Sequence, residues 1–477
     1  MIKSTLLETL RTFTKSELSS FEDFIRSPYF NKQENVVKLF EEIKKYAPAF
    51  NDSGLEKEIV WSKMFGDAKY NYGIMKNLIH DLGKLTVNFL KTDAGNSGYG
   101  INNLLEQYMK RGLSNQLKRK IREVKEDLKK QKPGGENYFL SYKIEKVEID
   151  EIVQRSDMKE IFEHDLDKIN ESLTLYYFIT FFNSNYTKLF VSNVYNKKAD
   201  TSFIEKILLL YDQGSYKNYY ADTYSRVLKI ALYPSDENNY SELKKIFFEN
   251  FDNYTRADQF DILSVLQSFC KTNSFILNIN YHKEAQLYRK VMDDNNLFFP
   301  DDENYINISV FLNTVVSASS AGEFDWCIKF IDKYQNFLEP AIKDECTNLA
   351  LTCAYFKNKD YETSLSYLSK CENPSPTQKI NLKTYQICNY YELRYYDQLN
   401  DLINAMRKFL KNDKIYSEGH KTSFKNFMNS VSRLSDYRYN LDVKKADDSK
   451  LNELKLFVQY NNMLGKKWLL EKIQELE

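Results

Sequence analysis

The stretch TCAYFKNKDYETSLSYL, residues 352–368, places an aromatic residue and an acid, Tyr361-Glu362, between two segments with apolar residues at helical spacing. This pattern predicts a helix, a short turn and a second helix. The aromatic ring is expected to pack in the angle between the two helices. The acid falls in the first turn of the second helix, where its charge meets the positive end of the helix dipole.

The same pattern returns on both sides of this stretch. Phe324-Asp325 stands 37 residues before Tyr361-Glu362, and Tyr396-Asp397 stands 35 residues after it. Each aromatic residue has an apolar residue seven positions later: Ile331, Leu368 and Ile403. A period of about 34 residues with two helices per unit is typical of an α-solenoid. We therefore predict an all-α, helical-repeat fold.

The middle unit resembles the tetratricopeptide repeat (TPR) family. The matching residues are Leu351, Ala354, Tyr355, Asp360, Tyr361, Glu362, Ser364, Leu365, Leu368, Cys371 and Pro376. Three positions depart from the family pattern, with Asn348 for a large aromatic residue, Thr352 for a small residue and Lys359 for the turn glycine. The third unit has Leu399 where a small residue is expected. The resemblance covers residues 308–412 and implies a degenerate TPR-like array.

Both ends of the chain carry a second resemblance. Ser27-Pro28-Tyr29-Phe30-Asn31 and residues 467–473, KWLLEKI, look like the two ends of a family of uncharacterised bacterial helical-repeat proteins of similar length. That resemblance implies no activity. The apolar stripe Trp468, Leu469, Ile473 and Leu476 predicts a final helix that caps the last repeat.

Breaks in the pattern divide the chain into four parts. Residues 1–93 are expected to form an N-terminal helical domain, and residues 101–290 an array of irregular helix pairs. Residues 291–440 are expected to hold the degenerate TPR-like repeats, and residues 441–477 the C-terminal capping helices. The N-terminal domain carries two expected capping boxes, Thr14–Glu17 and Asn31–Glu34, with a helix stop at Ser27-Pro28. Its third and fourth helices are expected to bury Ile59 and Ile74, respectively.

Composition restricts the class of protein. Gly 14 and Pro 8 are few for 477 residues, which disfavours turn-rich β folds. Lys+Arg 67 equals Asp+Glu 67, so no global charge draws the chain to nucleic acid or to an anionic membrane. The longest apolar run, residues 173–182, is too short to span a bilayer. Six cysteines without a CxxC motif fit core positions in a reducing compartment, and we expect a cytoplasmic protein.

One segment is strongly basic. Residues 110–132 hold ten Lys or Arg against three Asp or Glu, and Leu117, Ile121, Val124 and Leu128 form an apolar stripe. The segment is therefore expected to be a helix with one buried edge and a basic exterior, made of Lys118, Arg119, Lys120, Arg122, Lys125, Lys129 and Lys130. A solvated helix face explains it adequately. The alternative is a contact with nucleic acid or an acidic partner.

Sequence motifs for catalysis are lacking. The chain has no HExxH, P-loop, GxGxxG or GxSxG. None of the four histidines, His80, His164, His282 and His420, has a second His or Cys at a metal-ligand spacing. We expect no cofactor and no metal, and a non-catalytic protein, although a catalytic set assembled from distant residues is not visible in a sequence.

The TPR resemblance implies a groove lined by the first helix of each unit. Its positions in the two best units are Leu349, Cys353, Phe356, Lys357, Thr384, Cys388, Tyr391 and Glu392. Such a wall suits a peptide or partner helix anchored by apolar side chains. The competing interpretation is that Phe356 and Tyr391 pack between units. The leading hypothesis is thus a protein-protein interaction scaffold or adaptor, and the alternative is a nucleic-acid-associated regulator that uses the basic helix. Partner identity and oligomeric state stay open.

Overall fold

A computed structural model describes residues 4–94, 98–156, 159, 161, 166–194, 200–276, 281–299, 305–372, 376–413, 416, 418–442 and 448–477. These residues form α-helices and three single-turn 3-10 helices, without a strand among them. The all-α class predicted from the sequence is confirmed. His164 lies outside the described residues. In the described part of the chain, no helix is both long and apolar enough to cross a membrane.

The chain forms two compact units, Met1–Phe178 and Ile179–Glu477. The finer division made from the sequence stays a prediction. The first unit contains α1 (Thr5–Leu10), α2 (Lys15–Arg26), α3 (Glu34–Lys44), α4 (Lys57–Phe65), α5 (Tyr72–Ala94), α6 (Gly98–Lys110), α7 (Ser114–Lys130) and α8 (Gly135–Gln154). The boundary between the units falls within α9 (Asp167–Val194).

Helices α1 to α5 share one apolar core, and α6 to α8 share another. The capping box at α2 is confirmed, since Glu17 N donates to Thr14 Oγ1 and Thr14 N donates to Glu17 Oε2. The second capping box is wrong. Asn31 accepts from Gln33 N and donates to Ile25 O, so its side chain closes the turn instead of capping α3.

Two apolar side chains expected in the core are exposed. Ile59 and Ile74 face solvent, and their neighbours Val60 and Met75 are buried in their place. A shift of one residue turns a helix by about 100°, so one misplaced position moves a side chain from the core to the surface. The rest of the predicted stripe on α5, Leu78, Leu82, Leu85 and Phe89, is buried as expected.

The second unit is a run of helices in chain order. They are α10 (Ser202–Gln213), α11 (Tyr219–Leu232), α12 (Glu237–Glu249), α13 (Arg256–Ile276), α14 (His282–Asp294), α15 (Ile308–Ser320), α16 (Phe324–Tyr334), α17 (Lys343–Lys357), α18 (Tyr361–Leu368), α19 (Pro376–Glu392), α20 (Tyr396–Asn412), α21 (Glu418–Asp442), α22 (Asp448–Tyr460) and α23 (Lys466–Gln474). From α11 onward each helix packs on the next. Helices α15, α17, α19, α21 and α23 also pack on one another in sequence.

The turns at the three predicted bends of the second unit have the same backbone conformation. Gly322, Lys359 and Arg394 have φ of 78°, 64° and 61°, the left-handed region. In each turn the amide of the next residue bonds to the carbonyl five residues before it; for example, Asp360 N donates to Tyr355 O at 3.0 Å. This is the Schellman pattern that ends helices. The bends predicted around Phe324, Tyr361 and Tyr396 therefore share one geometry.

At these bends the acids share one position, whereas the aromatic rings pack against different partners. Asp325, Glu362 and Asp397 lie in the first turn of α16, α18 and α20, as expected. The Tyr361 ring packs on Phe356 of the preceding helix, with centroids 5.6 Å apart. The rings of Phe324 and Tyr396 instead meet Tyr355 and Tyr439, which belong to helices of the following pair.

Small residues bring the paired helices together. Cys327 and Ser364 each stand three residues after the aromatic, and each donates to a carbonyl twelve residues earlier: Val315 O at 3.8 Å and Thr352 O at 2.9 Å. Both side chains are buried. Leu399 occupies the third equivalent position and cannot form this bond.

The many tyrosines of the second unit bury rings and bond through their hydroxyls. Tyr240 Oη and Tyr288 Oη are 2.6 Å apart, and Tyr288 donates to Glu284 at 3.1 Å. Tyr211 donates to Asp222 at 2.7 Å, and Tyr224 donates to Asp258. Buried hydroxyls of this kind must be hydrogen-bonded, and carboxylates at helix starts supply the acceptors.

Candidate functional site

The eight residues predicted to line a groove do not form one open surface. Leu349 packs with Leu368 and Leu382 between helices. Cys353 is buried and accepts a hydrogen bond from Tyr385 Oη at 3.0 Å. Thr384 bonds to Ile380 O of its own helix at 2.8 Å. Lys357 is exposed at the end of α17.

The other four predicted residues come together. Phe356, Cys388, Tyr391 and Glu392 lie at the ends of α17 and α19, and we call them the Glu392 site. Helices α17 and α19 pack on each other, so their last turns are neighbours. Phe356, Cys388 and Tyr391 belong to one apolar cluster. Tyr361, the aromatic residue of the central repeat, packs against that cluster.

The C-terminal helix α23 covers the Glu392 site. The Trp468 ring meets the Tyr391 ring edge-on, with centroids 5.3 Å apart and planes at 85°. Trp468 Nε1 donates to Glu392 Oε1 at 2.9 Å. One turn further along α23, Lys472 Nζ lies 3.0 Å from the same oxygen. Leu469 and Ile473 are fully buried beside them.

Glu392 and Lys472 form a buried ion pair. Their side chains keep 7% and 8% of their exposure. Burial by itself would lower the pKa of Lys472, but hydrogen bonds to Glu475 and Glu392 outweigh burial, and the pKa is raised. Burial, together with the nearby carboxylates of Glu392 and Glu475, raises the pKa of Tyr361. The site therefore holds an ammonium and a protonated phenol beside the side chains of Glu392 and Glu475.

Tyr391 also contacts Arg438 of α21. Arg438 Nη1 donates to Tyr391 O at 3.1 Å, and its guanidinium lies 4.9 Å from the ring centroid. A cation over a tyrosine face is attractive. The Tyr391 ring thus contacts both a guanidinium and an indole.

The start of α23 is set by a glycine. Gly465 has φ of 62°, and a Cβ atom at this position would lie 2.9 Å from Phe427 Cε2. Two residues after Gly465, Lys467 Nζ lies 3.4 Å from His282 Nε2 at the start of α14. Burial and the charges of Lys467 and Lys357 lower the pKa of His282. Helix α23 therefore contacts residues of α14, α19, α21 and α22.

The sequence predicted the apolar stripe on α23 and the residues of the Glu392 site. It did not predict that the two contact each other. Trp468, Leu469 and Ile473 are buried as predicted, and Leu476 packs partly against the same cluster. Tyr385 was missed, although it lies between two predicted residues and packs on Phe356 at 5.3 Å. It stands three residues before Cys388 and seven before Glu392, so helical spacing places it on their face and could have identified it.

The basic helix in the first unit is largely paired. Leu117, Ile121 and Val124 are buried, as the stripe predicted. Lys125 contacts Glu145 at 2.9 Å and Glu148 at 2.6 Å. Arg119 and Lys120 both contact Glu123, and Lys130 contacts Asp127.

Lys118, Arg122 and Lys129 lie on the helix face that borders a depression of about 360 Å³. Lys125, Glu126, Glu148 and Glu151 line the same depression. Its four basic and three acidic side chains leave an excess of one positive charge. In the described residues, no group of three His, Cys, Asp or Glu side chains is placed to hold a metal ion.

Comparison of the chain with protein-family models, with curated proteins and with solved structures finds no match.

Proposed function

We propose that this chain is a non-catalytic, cytoplasmic interaction scaffold, built of degenerate TPR-like repeats, that binds a partner helix at the Glu392 site. The repeated left-handed turns and the packing of alternate helices on one another support the TPR-like arrangement. The observation that best supports this function is the contact of α23 with the Glu392 site. The helix supplies an indole N–H and an ammonium to one carboxylate while its apolar face enters the cluster.

The contacts define the partner that would fit. It is an amphipathic helix with an aromatic N–H donor and a lysine four residues later, since positions i and i+4 lie on one helix face. Between and after them come aliphatic residues like Leu469 and Ile473. In helix-in-groove recognition, such anchors provide most of the affinity. A partner would take the place of α23, so the scaffold and its own last helix compete for one site.

The test uses the full chain with Trp468→Ala and Lys472→Ala to loosen α23. A labelled peptide of residues 464–477 is titrated, and its fluorescence anisotropy is recorded. We expect the loosened chain to bind at least tenfold more tightly than the unaltered chain, and Tyr391→Ala in the same background to abolish binding. The control protein is Tyr460→Ala, an exposed aromatic on α22, and the control peptide has alanine for both anchors. Equal, weak binding to all proteins would refute the site.

The second candidate function is nucleic-acid binding by α7. The observation in its favour is that Lys118, Arg122, Lys125 and Lys129 stand on successive turns along one depression. A phosphate-driven contact loses affinity steeply with salt, because bound counterions are released on binding. Binding of a mixed-sequence duplex between 50 and 200 mM salt tests it, with Arg122→Glu and Lys129→Glu expected to flatten the response. A flat response in the unaltered chain excludes this function.

A further inference from the structure

Two buried polar side chains of the second unit have polar atoms without a hydrogen-bond partner among the described residues. Arg289 keeps 5% of its exposure and Gln286 keeps 1%. They stand three residues apart on α14 and therefore lie on one side of it. Within the part of the chain that the structure describes, Arg289 donates only to Met292 Sδ, at 3.4 Å, and its Nε has no acceptor. Neither Nε2 nor Oε1 of Gln286 has a hydrogen-bond partner there.

A buried guanidinium without a counter-ion is costly. Transfer of a charge out of water is offset only by an opposite charge and by hydrogen bonds. Burial lowers the pKa of Arg289 to about 10, so the group is still charged at neutral pH. Arginine cannot escape the cost by losing its proton, as lysine or histidine can.

Three carboxylates on α14 or paired with one of its lysines are engaged by other groups. Asp293, one turn after Arg289, accepts from Lys333 Nζ and Tyr334 Oη, both at 2.7 Å. Glu284 pairs with Lys244 at 2.5 Å. Glu323 pairs with Lys290 at 2.8 Å. Each of these acids already accepts from a lysine or a tyrosine, and among the described residues none pairs with Arg289.

We propose that Arg289 and Gln286, on one side of α14, form a binding site for a small phosphate-type oxyanion. The guanidinium offers a fork of N–H donors that matches two oxygens of one anion. The Gln286 amide can donate to a third oxygen and accept from a protonated one. Hydrogen phosphate and phosphate monoesters present both acceptor oxygens and a P–OH at neutral pH. They would therefore supply hydrogen-bond partners to Arg289 Nε and to Nε2 and Oε1 of Gln286. The site does not depend on the Glu392 site or its occupant.

The test compares the unaltered full chain with Arg289→Met, which keeps the volume and removes the charge. Melting is followed at constant ionic strength with rising inorganic phosphate, with sulfate and succinate as separate arms. Phosphate also stabilises proteins non-specifically by exclusion from their surface, so the difference between the two proteins is the readout. We expect phosphate to raise the Tm of the unaltered chain about 3 °C further than that of Arg289→Met. The exposed control, Arg407→Met, should behave like the unaltered chain.

Equilibrium dialysis of radiolabelled phosphate against the unaltered chain provides a second readout that needs no variant. One phosphate bound per chain, with at least tenfold weaker binding to Arg289→Lys and to Gln286→Leu, supports the site. A larger succinate shift would reassign the site to carboxylates and overturn the phosphate assignment. No bound phosphate, or equal binding to all three proteins, overturns the proposal altogether.

Discussion

Trp468 donates its indole N–H to Glu392 Oε1 at 2.9 Å, across 76 residues of chain. This bond ties the last helix to the end of α19 and closes the surface that the repeat pattern marks as a groove. Because Lys472 converges on the same oxygen, the carboxylate organises the contact. The consequences can be measured one residue at a time.

Glu392→Gln should destabilise the second unit. Hydrogen bonds to charged groups contribute about 1.5–3 kcal/mol, and Lys472 would stay buried with Glu475 alone. We expect a loss of about 2 kcal/mol in the free energy of unfolding, measured by urea denaturation. Glu453→Gln is the control, because its pair with Arg433 is exposed and worth about 0–1 kcal/mol. Equal effects of both variants would show that Glu392 is not central.

Replacement of Lys359 or Arg394 by glycine should stabilise the fold. Both residues have positive φ, which costs an L residue about 1–2 kcal/mol and glycine almost nothing. Each variant is expected to gain about 1 kcal/mol. Gly322→Ala is the inverse control, since space around that Cβ is open and only the backbone penalty applies. Stabilisation by Gly322→Ala would contradict the shared turn geometry.

Gly465→Ala should loosen α23 more than Gly322→Ala loosens its own turn. It combines positive φ with a Cβ placed 2.9 Å from Phe427 Cε2. We expect a cost of about 2 kcal/mol, from the backbone penalty and overpacking together. Hydrogen exchange of the amides in Lys466–Gln474 should accelerate while the exchange of α15 stays unchanged. Unchanged exchange in α23 would mean that the glycine does not set the start of the helix.

Alkaline titration should divide the tyrosines into two groups. Burial and the Asp293 carboxylate raise the pKa of Tyr334 to about 12, and burial and Glu237 raise the pKa of Tyr281 to about 12. Because these folded-state pKa values exceed the unfolded value near 10, the stability that the protonated hydroxyls contribute is full below pH 10 and is lost as pH rises through 12.

Absorbance at the tyrosinate band would therefore rise first for exposed residues and again on unfolding. Tyr334→Phe should remove amplitude from the second phase. Tyr460→Phe, at a position that is 84% exposed, should remove it from the first. A single transition near pH 10 with circular dichroism unchanged would contradict the burial of these hydroxyls.

Local patterns were predictable from the sequence, and contacts between distant helices were not. The bends at Phe324, Tyr361 and Tyr396 were found because the aromatic, the acid and the apolar spacing are local. Ile59 and Ile74 were placed wrongly because the residue that follows each of them, Val60 or Met75, is also apolar, and only packing decides which of the two is buried. Asn31 has the sequence pattern of a helix cap, but in the fold its side chain donates to Ile25 O instead.

The candidate site shows the same division. Phe356, Tyr391 and Glu392 were identified from a repeat pattern, and the stripe of Trp468 from helical spacing. Their contact depends on how the intervening helices stack, which no residue spacing encodes. Arg289 could not be recognised at all, because a single arginine is unremarkable until its neighbours exclude water from it.

The most direct measurement is hydrogen exchange of the amides in Lys466–Gln474 in the unaltered full chain, with and without a large excess of the 464–477 peptide, unlabelled. If a partner helix and α23 share the Glu392 site, bound peptide displaces α23 and these amides exchange faster, while the exchange of α19 stays protected. The peptide with alanine at both anchors should change nothing. Peptide binding that leaves the exchange of α23 unchanged would place the partner elsewhere and contradict the account.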